Sequence, residues 1–132
     1  MAATRSGQGI VELAISMPLL LLILLGTIDM GRVFFDYIEM RQAAIEGATY
    51  GSRRPSDNAG IEAAMEAHGM PDDATVTIDP APDCTVTSGV GDVTVTASRV
   101  WTPISLDVLK IVGGDASWSF TVNASSTMRC MT

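Results

Sequence analysis

The sequence predicts an α+β protein in which a long N-terminal membrane helix precedes a small domain, a three- to four-stranded antiparallel sheet with a short helix packed on it. Three observations lead to this class. Residues 13–28 contain no charged side chain, helical periodicity continues beyond them to about residue 52, and apolar and polar residues alternate near the C-terminus. The chain therefore divides into a leading segment 1–7, a helix 8–52 and a domain 53–132.

Length and charge limit the classes of function. A chain of 132 residues suits one small domain with an anchor. Its net charge of -7 and pI near 4.4 repel phosphate backbones, and its eight Lys and Arg residues are dispersed. Nucleic acid is therefore excluded as an expected partner.

The charge-free run predicts a transmembrane segment at about residues 10–28, since about twenty apolar residues span a bilayer. A secretory signal peptide would end at a small-residue cleavage site before an unrelated sequence, whereas here the helical pattern continues. Arg5 and the amino terminus favour a cytoplasmic N-terminus. The domain 53–132 is then expected outside the cytoplasm, in a single-pass arrangement.

Beyond the span, apolar residues recur at spacings of three, four and seven, which predicts a buried stripe on a continuing helix. One helix from Gln8 to about Ser52 would be about 67 Å long at the standard rise. Gly51 and Pro55 predict where it ends. The predicted stripe consists of Phe34, Tyr37, Ile38, Ala44, Ile45 and Ala48.

Two residues of this helix are unusual in a lipid-embedded segment. The Glu12 carboxylate is costly near the start of the span, and no Lys or Arg lies within one helical turn of it. A cation from another chain would pair with it; the alternative is a carboxylate solvated at the interface. Pro18 removes a backbone donor and predicts a helix kink, either passive or with a role in packing.

The two cysteines, Cys84 and Cys130, both lie in the domain 53–132. An oxidising compartment outside the cytoplasm would favour a disulfide between them. A loop of this length would stabilise the fold by roughly 4 kcal/mol in the chain-entropy model. Two free thiols are the alternative.

The domain itself has the pattern of a short helix and several strands. Asp57 or Asn58 is expected to cap a helix over 59–68, with Ile61, Ala64, Met65 and His68 on its apolar face. Alternation predicts strands beginning at Val76, at Val93 and at Trp118. The apolar connection 103–114 fits either a short helix or an assembly surface.

The sequence contains no pattern typical of a catalytic, metal-binding or cofactor-binding site. His68 is the sole histidine, and no Cys or acidic cluster stands at metal-ligand spacing around it. Walker loops, Gly-x-Ser-x-Gly elbows and dinucleotide fingerprints do not occur. The prediction is a protein without catalytic residues, metal or cofactor.

The segment Gly7-Gln8-Gly9-Ile10-Val11-Glu12, then Leu13-Ala14 to Pro18, a leucine run and Gly26 to Phe34 with its Asp-x-Gly-Arg motif, resembles the start of TadE-like proteins. These belong to the tight-adherence (Flp) pilus system and are relatives of type IV pilins. The resemblance covers about residues 6–34, and the closing segment 124–129 also looks like the family's last strand.

The resemblance implies that the N-terminus is cleaved and that Glu12 pairs with the terminal amine of another subunit. A prepilin peptidase would cut after Gly7, so that 1–7 is a leader peptide, Gln8 is the new N-terminus and Glu12 is the fifth mature residue. In pilin-like assemblies the glutamate of an incoming subunit neutralises the terminal amine of its neighbour. Each of these charges left alone in lipid would cost several kcal/mol, about the cost of an unpaired buried ion.

The implied function is that of a pseudopilin or minor pilin, which is inserted in the membrane and located in the pilus or at the cell surface after assembly. Its implied partners are other pilin or pseudopilin subunits, the prepilin peptidase and inner-membrane lipid. The alternative is a membrane-anchored binding or adhesion module that does not polymerise. A tethered enzyme has no candidate residues.

Overall fold

The computed structural model describes residues 7–80, 91–111, 113–114 and 117–130, and it confirms the α+β class. The chain divides into two compact units, Met1–Arg32 with Thr102–Trp118 and Val33–Trp101 with Ser119–Thr132. The elements in chain order are α1 (Gln8–Arg53), α2 (Asn58–Ala67), β1 (Thr75–Pro80), β2 (Asp92–Trp101), α3 (Ile104–Ile111) and β3 (Phe120–Arg129).

The sheet of the second unit has the order β1-β2-β3, with both pairs antiparallel. The predicted alternation is present in β2, where Val93, Val95 and Ala97 are fully buried. Ala124 of β3 lies opposite Ala97 and is also buried. Trp118, which was expected to begin the last strand, instead precedes β3 and is 61% exposed.

The face of α1 that enters the core differs from the predicted stripe. Ala44 and Ala48 are buried as expected, but Phe34 and Ile38 are 62% and 44% exposed. The helix packs through small side chains, which let its backbone approach α2 and the sheet closely. The α1 residues on this face are Met40, Ala43, Ala44, Gly47, Ala48 and Gly51.

Two glycines allow the backbone of α1 to lie close to α2 and the sheet. A Cβ atom at Gly47 would lie 2.6 Å from Cγ of Met65, and one at Gly51 would lie 2.9 Å from Cγ1 of Val93. Gly51 therefore does not end the helix, as its sequence context predicted, but sits within the last turns of α1, which continues to Arg53.

Helix α2 begins at its predicted cap. The Oδ1 atom of Asp57 accepts a hydrogen bond from the Gly60 N–H at 3.0 Å, and Oδ2 accepts one from the Tyr50 hydroxyl at 2.8 Å. Ile61 and Met65 are fully buried in the core, as expected of the apolar face. His68 follows the helix and is exposed, so its expected place on that face is wrong.

Arg99 of β2 connects three parts of this unit. Its Nη1 atom lies 2.9 Å from Oδ2 of Asp36 on α1, and its Nε atom lies 2.8 Å from Oδ1 of Asp73 in the loop before β1. The Arg99 and Asp36 side chains are only 24% and 17% exposed, so this pair is less screened than a surface ion pair.

Gly51→Leu is expected to destabilise the fold, because the space at this position is already filled by Val93 and Ile61. Overpacking a core typically costs about 1–3 kcal/mol. Thermal unfolding of the full chain in detergent should show a melting temperature lower by several degrees. The matched control is Gly31→Leu on the same helix, where a Cβ meets nothing within 4 Å; equal melting temperatures for the two variants would contradict this account of the core.

Asp57 is expected to make stability depend on pH at the acid end. The Tyr50 hydroxyl and the Gly60 N–H hold the pKa of Asp57 below its ordinary value of 3.8. Its contribution is then complete above that value and is lost as the pH falls through the lowered folded pKa. Asp57→Asn keeps a capping oxygen but cannot titrate.

Urea unfolding should therefore find the natural chain more stable than the Asp57→Asn variant near neutral pH, with the difference shrinking as the pH falls below 3.8. A difference that stays constant across this range would show that the charge of Asp57 does not contribute.

Candidate functional site: the N-terminal helix and its flanking segments

The start of α1 is open to solvent. Gly7 forms a turn just before the helix, its carbonyl oxygen accepts the Val11 N–H at 3.3 Å, and Gln8 is the first helical residue. Both Gly7 and Gln8 are exposed. The peptide bond between them thus lies at the helix boundary.

Glu12 lies one turn into the helix and is also exposed. Its backbone oxygen accepts a hydrogen bond from the Ser16 hydroxyl at 2.8 Å. Among the ion pairs of the described residues, none involves the Glu12 carboxylate. The structure therefore places a carboxylate on the surface of an apolar helix without a cation from the described part of its own chain.

The surface that follows is apolar on every side. Large hydrophobic residues from Ile10 to Leu24 are between 52% and 73% exposed, and Ile28 is 48% exposed. Helix α1 is long and apolar enough to cross a membrane, and no part of its apolar window is buried in the chain. A soluble protein would bury such side chains, because apolar surface in water costs roughly 25 cal/mol per Å².

Pro18 lies inside α1, and the helix continues on both sides of it. The predicted kink stays a prediction. Pro18 also lines a cleft of about 440 Å³, together with Leu21, Leu22, Leu25, Gly26, Ser105, Leu106 and Val108.

Helix α3 forms the other wall of this cleft, so the short-helix interpretation of the connection 103–114 is correct over 104–111. Its N-terminus is held by Asp29 of α1. Oδ1 of Asp29 accepts the Ile104 N–H at 3.0 Å, and Oδ2 accepts the Ser105 N–H at 2.9 Å. The Asp29 side chain is therefore a long-range helix cap, and the residue is only 5% exposed.

Sequence reasoning did not find this contact. The one local sign is that α3 is preceded by Pro103, whose side chain has no hydrogen-bond acceptor, so the first N–H groups of the helix need an acceptor from elsewhere. An aspartate 75 residues earlier in the chain supplies it.

The two cysteines are only partly described. Cys84 lies outside the described residues. Cys130 is half-buried against the core, and its N–H donates to the Gly91 oxygen at 2.8 Å. Their pairing stays a prediction. Within the described ranges, no group of three or more His, Cys, Asp or Glu residues is placed to hold a metal ion.

Comparison with known protein families finds a match in the N-terminal part of the chain. Residues 7–49 match the family model described as TadE-like protein. Searches of curated proteins and of solved structures find no match. The family match contains Gly7, Gln8, Glu12, Pro18 and Asp29, and it confirms the resemblance predicted from the N-terminal sequence.

Proposed function

We propose that this chain, which is TadE-like over residues 7–49, is a pilin-like subunit of a tight-adherence pilus, a pseudopilin or minor pilin. It is inserted in the inner membrane by its N-terminal helix, and the same helix joins it to other pilin or pseudopilin subunits so that it enters or primes a filament.

The observation that carries this proposal is the exposed apolar surface of α1 around Glu12, whose carboxylate has no ion-pair partner among the described residues. The large apolar residues of 10–24 are all more than half exposed, and Glu12 makes no ion pair with the described residues. Lipid would cover the apolar surface, but lipid offers no cation to a carboxylate inside its apolar region. A neighbouring helix that carries a terminal amine would bury the apolar surface and also pair with the Glu12 carboxylate.

A second surface favours assembly over a simple anchor. An anchor needs about twenty apolar residues, and the charge-free stretch ends at Ile28. Yet exposed apolar side chains continue along α1 well beyond that point. They are Met30, Phe34, Phe35, Tyr37, Ile38 and Ile45, between 37% and 67% exposed. Packing against the helices of neighbouring subunits would bury them.

The proposed mechanism begins with removal of the leader 1–7 by a prepilin peptidase. Cleavage after Gly7 creates an amine at Gln8, one helical turn before Glu12. The Glu12 carboxylate of an incoming subunit pairs with the Gln8 amine of its neighbour and fixes the register between the two helices. The proposed span is about residues 10–28, with the N-terminus cytoplasmic.

In this proposal the domain 53–132 lies outside the cytoplasm and Cys84 pairs with Cys130. The role is structural, with recognition between subunits in place of catalysis. The competing function, an anchored binding or adhesion module, would use the same span but would need neither cleavage after Gly7 nor a partner for Glu12.

Mass spectrometry of the chain purified from membranes of its natural host is the direct test of processing. We expect a mature form that begins at Gln8 and in which alkylation labels neither cysteine until a reductant is added. A chain that begins at Met1 in a host with an active pilus system would contradict the processing step, and cysteines that alkylate without reductant would contradict the disulfide.

Glu12→Gln is expected to abolish assembly without affecting insertion, because the amide keeps the shape of the side chain but loses its charge. Since each 1.4 kcal/mol is a factor of ten, loss of a pairing worth several kcal/mol should lower subunit incorporation by more than about tenfold. The measurement is the amount of the chain in sheared pilus fractions, alongside its carbonate-resistant membrane fraction.

The matched control is Glu62→Gln, which removes an exposed carboxylate from α2 and should leave both fractions unchanged. Normal incorporation of the Glu12→Gln chain would reject the charge pairing. Absence of the natural chain from pilus fractions, with cell-surface adhesion retained, would favour the anchored binding module.

A further inference from the structure

Helix α3 is placed beside the apolar span by its cap. Asp29 is the first charged residue after the charge-free stretch 13–28, so it marks the end of that stretch. Because its two oxygens accept the N–H groups of Ile104 and Ser105, the start of α3 is fixed at this level. These are hydrogen bonds to a charged acceptor at a helix N-terminus, the stronger kind.

Beyond its capped start, α3 lines a cleft together with residues of the span. Leu106 and Val108 share the cleft with α1 residues that precede Asp29 by three to eleven positions, from Gly26 back to Pro18. At 1.5 Å per residue this is about 5–17 Å back along the helix axis from the end of the charge-free stretch. This is the depth of the outer headgroup and acyl-chain boundary if Asp29 lies at the membrane surface.

The composition of α3 suits that depth. Ile104 and Val108 are 39% and 38% exposed, while its two charged side chains, Asp107 and Lys110, pair with each other at 3.2 Å and remain largely exposed. A short helix that exposes both apolar and charged side chains suits the boundary between the acyl chains and the headgroups. The long Lys110 side chain can keep its ammonium group in water while its methylene groups lie lower.

We propose that α3 is a second membrane-contacting element, an interfacial helix held against the outer end of the span by Asp29, and that a phospholipid acyl chain of the outer leaflet occupies the cleft between α3 and α1. Acyl chains are what surrounds a membrane span at this depth. The lining of the cleft matches them, since only Ser105 among its eight residues has a polar side chain.

This inference rests on the membrane insertion in the proposed function and is independent of pilus assembly. It is tested with the purified full-length chain in phosphatidylethanolamine and phosphatidylglycerol vesicles, at a protein-to-lipid ratio low enough to isolate single chains. Val108 is replaced by the photoreactive p-benzoylphenylalanine, the vesicles are irradiated, and adducts are identified by mass spectrometry.

The matched control carries the same photoreactive residue at Val100, an apolar position on β2 that is 64% exposed and belongs to the other unit. We expect the yield of phospholipid adduct at position 108 to exceed that at position 100 severalfold. Equal yields, or adducts at position 108 only with a second copy of the chain, would overturn the proposal.

Asp29→Ala in the Val108-substituted chain tests the role of the cap. Releasing the N-terminus of α3 should lower the phospholipid adduct severalfold, and Asp29→Asn, which retains an oxygen acceptor, should restore part of it. Hydrogen exchange of the β2 and β3 amides reports whether the remaining domain stays folded. An unchanged adduct yield in Asp29→Ala, with the domain intact, would show that the cap does not place α3.

The outcomes separate this proposal from the function itself. A chain that inserts, is processed at Gly7 and assembles, but gives no lipid adduct at position 108, disproves only the role of α3. A chain that does not insert into vesicles would contradict both.

Discussion

The structure of α1 depends on how its apolar surface is buried. The two halves of this one continuous helix differ in what buries that surface. Between Met40 and Gly51 the helix buries one side against α2 and the sheet of its own chain. From Ile10 to Ile28 none of the large hydrophobic residues is buried, and no side chain from Leu13 to Ile28 is charged. The first half therefore depends on an apolar environment supplied from outside, by lipid or by other helices.

The elements themselves could be predicted from the sequence, because their signals are local. The uncharged run, the cap at Asp57 and the alternation in β2 and β3 each lie within a few residues of the structure they specify. The core face of α1 could not be predicted in the same way. Bulky residues suggested a stripe through Phe34 and Ile38, but close packing of a helix on a sheet selects small residues.

Gly47 and Gly51 show why the core face of α1 could not be predicted from the sequence. Glycine lowers helix stability by about 1 kcal/mol relative to alanine, so sequence rules interpret it as a helix end. Its advantage appears only when Met65 and Val93 are in place, and those residues come from other elements. The same is true of the candidate site. Gly7, Gln8 and Glu12 could be identified from a local motif, whereas the contact between Asp29 and α3 joins residues 75 positions apart.

Asp29 and Glu12 are both carboxylates next to the charge-free stretch, and they differ in how their charge is satisfied. Asp29 is 5% exposed and accepts hydrogen bonds from two backbone N–H groups of its own chain. Glu12 is exposed and makes no ion pair within the described residues. A carboxylate that is satisfied by its own chain fixes internal structure, as Asp29 fixes the start of α3. One that lacks such a partner favours any neighbour that brings a positive charge, because an apolar environment makes a lone charge costly. In the proposed function the cost of leaving Glu12 alone rises as lipid covers the span, so insertion would itself strengthen the preference for a partner chain.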